Sequence, residues 1–331
     1  MKLSINKAFS GGTPLLKEQE APRPLMDADK RGSGVSMNFI VGVLLAVLGI
    51  FILWLYAIAP QLRGRPYMAE LSKYDYAHRG LHNAERGIPE NSLAAFRLAA
   101  ESGFGIELDV QLTADNQVVV VHDPSLGRVC GVETAVKDMS LSQLQACRLE
   151  GTEEGIPTLK QALDAIGRRT PVIVELKYYN NTSVICPLVW EILKDYEGLY
   201  CVQSFNPLIV KWFRDHHPEV IRGQLMEGVQ KNDILSSSAA FAGRNLLSNF
   251  LTRPNFEAYK YQSRSRPSMW LAKNVFGMPE ISWTVTDMET YHYLKNQNCI
   301  VIFEGFEPFA EKKPVPAANP TTEKATGTAT F

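Results

Sequence analysis

Apolar residues follow two patterns along the chain. The first is an unbroken run from Phe39 to Ala59 that contains no charged residue. At 1.5 Å of rise per residue, a helix over this run is about 31 Å long, close to the hydrocarbon thickness of a bilayer. The second pattern begins near residue 74, where short runs of β-branched and aromatic residues alternate with helical periodicity. We therefore predict a transmembrane helix over residues 38–60, followed by an α/β domain.

The order of strands and helices predicts the architecture of that domain. Eight runs have the character of strands: 74–77, 106–110, 172–176, 199–203, 220–225, 246–248, 281–285 and 300–303. Helix signals lie between them, such as 92–100 closed by Gly103, and the capping-box spacing of Thr158 and Gln161. A strand followed by a helix, repeated eight times, is typical of a (β/α)8 barrel. We expect a TIM barrel over residues 74–310.

One connection is too short for a parallel crossover. The run 118–121 follows Val110 closely, and Asp115 and Asn116 between them have turn chemistry. We predict an antiparallel hairpin over 106–121, with Asp109 opposite His122. The following segment, 122–157, is then a small insertion that caps the barrel mouth, with Ser140 and Gln143 opening a short helix.

The two ends of the chain differ in composition from the domain. Residues 1–37 and 311–331 are rich in Gly, Pro, Ser, Thr and charge, which predicts disordered tails. A net charge of −1, from 34 basic and 35 acidic residues, argues against a nucleic-acid partner. The five cysteines are scattered without CxxC spacing, so they indicate neither a disulfide framework nor a zinc knuckle.

The apolar run indicates a retained anchor. It is too long and too far from the N-terminus for a cleaved signal peptide. Basic residues close to it are balanced on its two sides, but Lys2, Lys7 and Lys17 add charge to the tail. The positive-inside rule then predicts a single-pass membrane protein with the tail inside and the barrel extracytoplasmic.

Three carboxylates converge in the predicted barrel. Glu107 and Asp109 alternate with apolar residues and share the inward face of one strand, and Glu175 faces inward from the next. Three buried carboxylates repel one another unless a cation lies between them. All-oxygen ligands favour Mg²⁺ or Ca²⁺ over zinc. Ion pairs with Lys177 and Arg79 are the alternative.

Two histidines are predicted at the same rim. His78 ends the first strand and His122 ends the return strand of the hairpin. Imidazole titrates near neutral pH and can act as acid or base. Arg79 offers a bidentate fork for a phosphate and Lys177 a second cation.

These residues carry a resemblance to a known family. The motifs are His78-Arg79-Gly80, Pro89-Glu90-Asn91-Ser92, Glu107-Leu108-Asp109, His122-Asp123, Pro157-Thr158-Leu159, Glu175-Leu176-Lys177, Ser204-Phe205 and Trp283-Thr284-Val285. In order and approximate spacing they resemble the glycerophosphodiester phosphodiesterases. The resemblance implies metal-dependent cleavage of glycerophosphodiesters to sn-glycerol 3-phosphate and an alcohol, inside a TIM barrel.

The resemblance also implies a role for individual residues. It places the metal ligands at Glu107, Asp109 and Glu175, and the acid/base pair at His78 and His122. Arg79 falls on the phosphate side. We expect the pocket lining to include Lys177, Asn91, Gln203 and Trp283. The final strand departs from the family pattern, with Glu304 and Gly305 where a Thr-Asp-like pair is common.

Two other functions are compatible with these features. The anchor would suit a lysophospholipid phosphodiesterase that works at the bilayer. A catalytically dead module that binds phosphodiesters would have the same fold, although every expected ligand and histidine is present.

Overall fold

A computed structural model describes residues 36–61, 65–177, 179–227 and 237–308. Except for Ser36 and Met37, the predicted tails 1–37 and 311–331 lie outside these residues. The chain divides into two compact units, residues 1–48 and 49–331. In the first, the described residues belong to helix α1 (Met37–Ile58) and its preceding residue, and their side chains are exposed.

Eight parallel strands close into a barrel in the second unit. Each strand pairs with the next along the chain, and the last pairs with the first. The eight are β1 (Tyr76–Ala77), β2 (Gly105–Leu112), β6 (Val172–Leu176), β7 (Tyr200–Ser204), β8 (Arg222–Met226), β9 (Phe256–Lys260), β10 (Glu280–Val285) and β11 (Ile300–Phe303). Strand β3 (Val118–Val120) pairs with β2 alone, and β4 (Ser125–Leu126) pairs with β5 (Val132–Ala135). The predicted TIM barrel is confirmed.

Helices surround the barrel. They are α2 (Arg65–Leu71), α3 (Leu93–Glu101), α4 (Gly127–Cys130), α5 (Leu141–Gln145), α6 (Leu159–Ile166), α7 (Thr182–Leu193), α8 (Pro207–His216), α9 (Ser237–Arg244), α10 (Asn249–Thr252), α11 (Pro267–Asn274) and α12 (Met288–Asn296), with 3₁₀ turns at Ala84–Arg86, Val136–Asp138, Leu149–Gly151 and Tyr261–Ser263. The caps predicted at Ser92, Ser140 and Thr158 all begin helices, and the latter two form capping boxes.

The core has two main layers. Apolar residues on the outward faces of the strands pack against the helices, as Val174 and Val202 do. Inward residues such as Ile173, Cys201 and Ile302 fill the barrel's amino end, where Met68 of α2 covers them. The opposite, carboxyl end is left for polar side chains.

The hairpin is confirmed, but its register is shifted by one residue. Val110 pairs with Val120, and the Val121 N–H donates to the Asp109 carbonyl at 3.0 Å, so Asp109 lies opposite Val121 and the predicted partner His122 is wrong. The cause is the turn. Asn116 adopts a left-handed φ of 56° and extends the loop to three residues, which moves the pairing by one.

One predicted strand is wrong. Residues 246–248 form a turn between α9 and α10, with Leu246 at a left-handed φ of 59°. The strand is instead β9, which the eight predicted runs did not include. Glu257 is buried in its middle, on the outward face. A carboxylate at a position that normally carries an apolar residue hides the strand pattern.

Residues 122–157 form the predicted insertion. The segment has its own apolar cluster, which includes Leu126, Val136 and Leu144 together with Val119 of β3. The β4–β5 pair, α4 and α5 all belong to it. The insertion therefore packs on the hairpin beside the carboxyl ends of the barrel strands.

Helix α1 is long and apolar enough to cross a membrane. Its observed limits are within two residues of the predicted span. Within the second unit, its last turn packs on the barrel, where Ile58 is fully buried in a cluster with Leu246 and Tyr259.

Candidate active site

The structure brings three carboxylates together inside the barrel mouth. Glu107 and Asp109 point inward from β2, and Asp109 is the register partner of Glu175 on β6. All three are buried, and one carboxylate oxygen of each lies within 4.8 Å of the others. A buried, all-oxygen group of this size fits a hard divalent cation.

The carboxylates repel one another. Burial, followed by the charges of Asp109 and Glu175, raises the pKa of Glu107 well above its ordinary value. Burial also raises the pKa of Glu175, against the opposing effect of Lys177. Burial would raise the pKa of Asp109 as well, but Lys177 and His122 outweigh it and the pKa is lowered. A dication between the three would remove the repulsion.

Lys177 supplies part of the compensating charge. Its Nζ atom lies 3.1 Å from Asp109 Oδ1 and 2.8 Å from Glu175 Oε1. The ion-pair alternative thus accounts for two of the carboxylates. Glu107 accepts a 3.2 Å hydrogen bond from the Arg79 backbone N–H, but the described residues offer it no side-chain ion pair within 4.0 Å. Lys177 and Arg79 together bring two positive charges to three carboxylates, so the site retains a deficit of positive charge.

The loop after β1 places Arg79 beside this cluster. Arg79 has a left-handed φ of 57°, and its Nε atom lies 3.6 Å from Asp109 Oδ2. Its Nη1 donates to Glu90 Oε1 at 3.0 Å. Gly80 follows with φ of 82°, and a Cβ there would lie 2.8 Å from the Ala95 Cβ. The motif needs glycine for both reasons.

Asn91 contacts a carboxylate. Its Nδ2 donates to Asp109 Oδ2 at 3.0 Å, and the residue is 2% exposed. Its backbone is also left-handed, with φ of 53°. The structure shows the amide of Asn91 bound to Asp109, and its contact with the substrate stays a prediction.

A carboxylate at the end of the last barrel strand holds His78. The Nδ1 atom of His78 lies 2.7 Å from Glu304 Oε2, and His82 Nε2 lies 3.4 Å from Glu304 Oε1. These hydrogen bonds lower the pKa of Glu304. The bond at Nδ1 leaves Nε2 of His78 for proton transfer. Sequence reasoning missed Glu304, although it directly follows β11, at the end of the barrel where sites are built.

His122 is held in the same manner by the insertion. Its Nδ1 lies 2.7 Å from Asp123 Oδ1, and Arg128 Nε donates to Asp123 Oδ2 at 2.6 Å. Arg128 also donates two bonds to Glu90, at 2.6 and 2.9 Å. Because Glu90 binds Arg79 as well, a continuous chain of charges links the two sides of the site. Arg128 is a second residue that the sequence did not reveal.

The surroundings of His122 favour its neutral form. Burial lowers the pKa of His122, Asp109 partly opposes this, and Lys177 reinforces it. The His122 carbonyl accepts hydrogen bonds from Gln111 Nε2 at 3.0 Å and Tyr179 Oη at 2.8 Å. The charges of His122 and His78 both act on Asp109. Both imidazoles are therefore near enough to Asp109 for their charge to act on its carboxylate.

Two further predicted residues lie on other strands of the barrel. Gln203 of β7 is the register partner of Glu175, and Trp283 lies on β10. The Trp283 ring packs edge-on against Phe205 with 5.6 Å between centroids. Gln203 Oε1 and Trp283 Nε1 are buried and have no hydrogen-bond partner among the described residues. Such atoms are available to a bound substrate.

Comparison with known proteins gives a consistent result. The model of the glycerophosphoryl diester phosphodiesterase family matches residues 78–304. YhdW of Bacillus subtilis strain 168 carries the name of a glycerophosphodiester phosphodiesterase. It is 31% identical to this chain over 228 residues, which cover 66% of this chain and 88% of YhdW. A lysophospholipase D of Rattus norvegicus is 37% identical over 121 residues, but these cover only 33% of this chain and 38% of the relative.

Solved structures share the fold. A phosphodiesterase of Oleispira antarctica, solved with its product sn-glycerol 3-phosphate, superposes with a TM-score of 0.58 and 23% identity. The match covers 70% of this chain and 92% of that one.

Proposed function

This chain belongs to the glycerophosphoryl diester phosphodiesterase family, and we propose that its buried carboxylates and two held histidines carry out the family's reaction. It is a phosphoric diester hydrolase that acts on glycerophosphodiesters and depends on a divalent cation. The products are an alcohol and sn-glycerol 3-phosphate, the molecule bound by the Oleispira enzyme.

Glu107, Asp109 and Glu175 would hold the cation, Mg²⁺ or Ca²⁺. When bound, it supplies Lewis-acid stabilisation of the charge that develops on the phosphate. Arg79 and Lys177 flank the same cluster and orient the non-bridging oxygens of the substrate. Gln203 and Trp283 present their unpaired polar atoms to the rest of the substrate.

His78 and His122 move the protons. One imidazole removes a proton from the nucleophile and the other protonates the departing alkoxide. If the nucleophile is water, sn-glycerol 3-phosphate forms directly; if it is the glycerol 2-hydroxyl, a cyclic phosphodiester forms first and water then opens it to the monoester. Each has Nδ1 occupied by a carboxylate, Glu304 or Asp123, so Nε2 is the atom that exchanges the proton. The carboxylates fix the ring orientation and stabilise the imidazolium that forms.

The observation that carries this proposal is the cluster of three carboxylate oxygens within 4.8 Å, together with two imidazoles that each have Nδ1 held by a carboxylate. A phosphorus NMR time course with glycerophosphocholine tests it. We expect the diester signal to be replaced by that of sn-glycerol 3-phosphate, and EDTA to stop the reaction until Mg²⁺ or Ca²⁺ is restored. Turnover that is indifferent to the chelator would contradict the metal role.

A lysophospholipid is a second candidate substrate. The apolar length of α1 and the likeness to a lysophospholipase D support it. Release of the headgroup from lysophosphatidylcholine and from glycerophosphocholine, measured side by side, separates the two. A preference for the lipid would assign the enzyme to membrane substrates.

We also propose that α1 spans a membrane once, with the barrel on the extracytoplasmic side. The lysines of the N-terminal tail support this orientation. Protease added outside sealed, right-side-out vesicles should digest the barrel. Protection of the barrel until the vesicles are lysed would reverse the orientation.

A further inference from the structure

Exposed apolar side chains concentrate on one segment of the barrel. Outside α1, the described residues include seven exposed large hydrophobic side chains: Tyr179, Leu208, Phe241, Phe250, Trp270, Val275 and Tyr293. Four of the seven fall between residues 241 and 275. Single exposed hydrophobic residues are ordinary, but a concentration of them marks a contact surface.

The same segment packs around the end of α1. The buried cluster there joins Ile58 to Leu246 of the turn after α9, Tyr259 of β9, Met269 and Ala272 of α11, and Met278 of the loop before β10. Helix α11 turns Met269 and Ala272 inward, whereas Trp270 on its outer side is 60% exposed. Helix α9 is oriented similarly, because a Cβ on Gly243 would lie 2.4 Å from Met226 Cε while Phe241 is 58% exposed.

Polar contacts fix the end of α1 to this part of the barrel. Arg253 Nη1 donates to the carbonyls of Tyr56 and Ala59 at 2.7 and 2.8 Å. Its guanidinium also lies over the Tyr56 ring, 4.3 Å from the centroid. Asn249 Nδ2 donates to the Ile58 carbonyl at 3.3 Å. The last turn of α1 is therefore part of the domain, and the exposed apolar surface of the helix resumes directly before it, at Leu53.

We propose that Tyr56, Phe241 and Trp270, here called the aromatic flank, rest in the headgroup layer of a lipid bilayer. The exposed side chains of α1 that precede the flank are apolar and suited to hydrocarbon. Tyr and Trp rings favour the interface between hydrocarbon and water, and Arg253 adds a cation that suits anionic headgroups. Tyr56 lies on α1 itself, and Phe241 and Trp270 lie on α9 and α11, beside the residues that pack on the last turn of α1; this identifies the occupant as a bilayer.

The position of the flank deepens the proposed function, on which this step rests. Met226 and Tyr259 lie near the carboxyl ends of β8 and β9. Tyr259 belongs to the buried cluster around Ile58, and Met226 packs against that cluster. These strand ends are on the same rim as the active site. The flank thus holds the mouth at the membrane surface, within reach of lipids that carry a glycerophosphodiester headgroup.

Photocrosslinking tests the flank directly. Benzoylphenylalanine replaces Trp270 or Phe241 in the full chain, reconstituted in vesicles of phosphatidylcholine and phosphatidylglycerol. The controls carry it at Leu208 or Tyr293, which are 56% and 58% exposed on α8 and α12. We expect lipid adducts at 270 and 241 several-fold above the controls. Equal labelling at all four positions, no lipid adduct, or crosslinks to a second copy of the chain would overturn the proposal.

A substrate comparison tests the consequence. The double variant Phe241→Ser, Trp270→Ser should hydrolyse lysophosphatidylcholine in vesicles several-fold more slowly, with hydrolysis of soluble glycerophosphocholine unchanged. The soluble substrate shows that the variant is folded. An equal effect on both substrates would refute the role of the flank in substrate access. A wild-type chain inactive on both substrates would refute the proposed function, while the crosslinks would still decide the flank.

Discussion

Glu304 lies 2.7 Å from Nδ1 of His78, and this pair joins the last strand of the barrel to the first. The carboxylate is 32% exposed and the imidazole 16%, so the bond is partly shielded from water. A hydrogen bond of this kind fixes the ring and its tautomer. We therefore regard Glu304 as a positioning residue for His78.

Replacement of Glu304 by Gln should lower kcat by roughly 10- to 100-fold and change KM little, because the amide keeps the shape but loses the charge that supports the imidazolium. Steady-state kinetics on glycerophosphocholine measure the changes in kcat and KM separately. The matched control is Glu307→Gln, because the Glu307 side chain is 59% exposed and makes a long ion pair of 3.9 Å with Arg86. If the two variants behave alike, Glu304 has no positioning role.

Removal of either imidazole should have a larger effect. His78→Ala and His122→Ala should each reduce kcat by about 10²- to 10⁴-fold, the usual contribution of a general acid or base. Circular dichroism should show an unchanged fold. His292→Ala, on an exposed part of α12, serves as control. Full activity in either active-site variant would reject the assignment.

Glu107→Gln should weaken metal binding and rate together. The substitution removes one of three ligands while it keeps the volume of the side chain, so excess Mg²⁺ or Ca²⁺ should restore part of the rate. Titration of activity with metal measures the shift. Glu133→Gln, an exposed substitution in the insertion, should leave the titration unchanged. An unchanged curve for the Glu107 variant would exclude it as a ligand.

Gly80→Ala should destabilise the protein and lower its activity. The added Cβ would meet Ala95 at 2.8 Å, in a backbone conformation with φ of 82°, and such strain costs about 1–3 kcal/mol. The loop carries His78 and Arg79, so kcat should fall too. Gly87→Ala isolates the effect of conformation, because Gly87 has φ of 67° but open space around it. Its cost should be smaller, and urea unfolding compares the two.

Glu257 should make stability depend on pH. Burial raises its pKa to about 8, against an unfolded value of 4.5. Its neutral form therefore stabilises the fold fully below pH 4.5, and this contribution is lost as the pH rises through 8, by about 1.4 kcal/mol per unit. Glu257→Gln should flatten the pH dependence of urea unfolding in detergent. Glu219→Gln, at an exposed site, should not.

The period-two alternation of the strands explains why the metal cluster was predictable. Glu107, Asp109 and Glu175 stand out because a carboxylate between apolar neighbours must face the polar end of the barrel. The same logic failed at β9, where Glu257 points outward into a buried layer and conceals the strand.

Contacts between residues that are distant along the chain could not be predicted from the sequence. The register error at Asp109 comes from one left-handed residue, Asn116, whose conformation changes the loop length. Glu304 and Arg128 were missed because their partners, His78 and Glu90, lie far away along the chain. Only the closed barrel and the packed insertion bring them together.

The pairing of β1 with β11 has a consequence for how activity arises during folding. The His78 N–H donates to the Phe303 carbonyl at 2.9 Å, next to the contact of His78 with Glu304. The active site therefore lies across the β1–β11 pairing that closes the barrel. An intermediate with seven strands assembled would already contain the three carboxylates and His122 on Asp123, but it would lack an aligned His78. During refolding, the onset of turnover should thus report the pairing of β1 with β11, which closes the barrel. A chain that ends before residue 304 should bind the metal but be inactive.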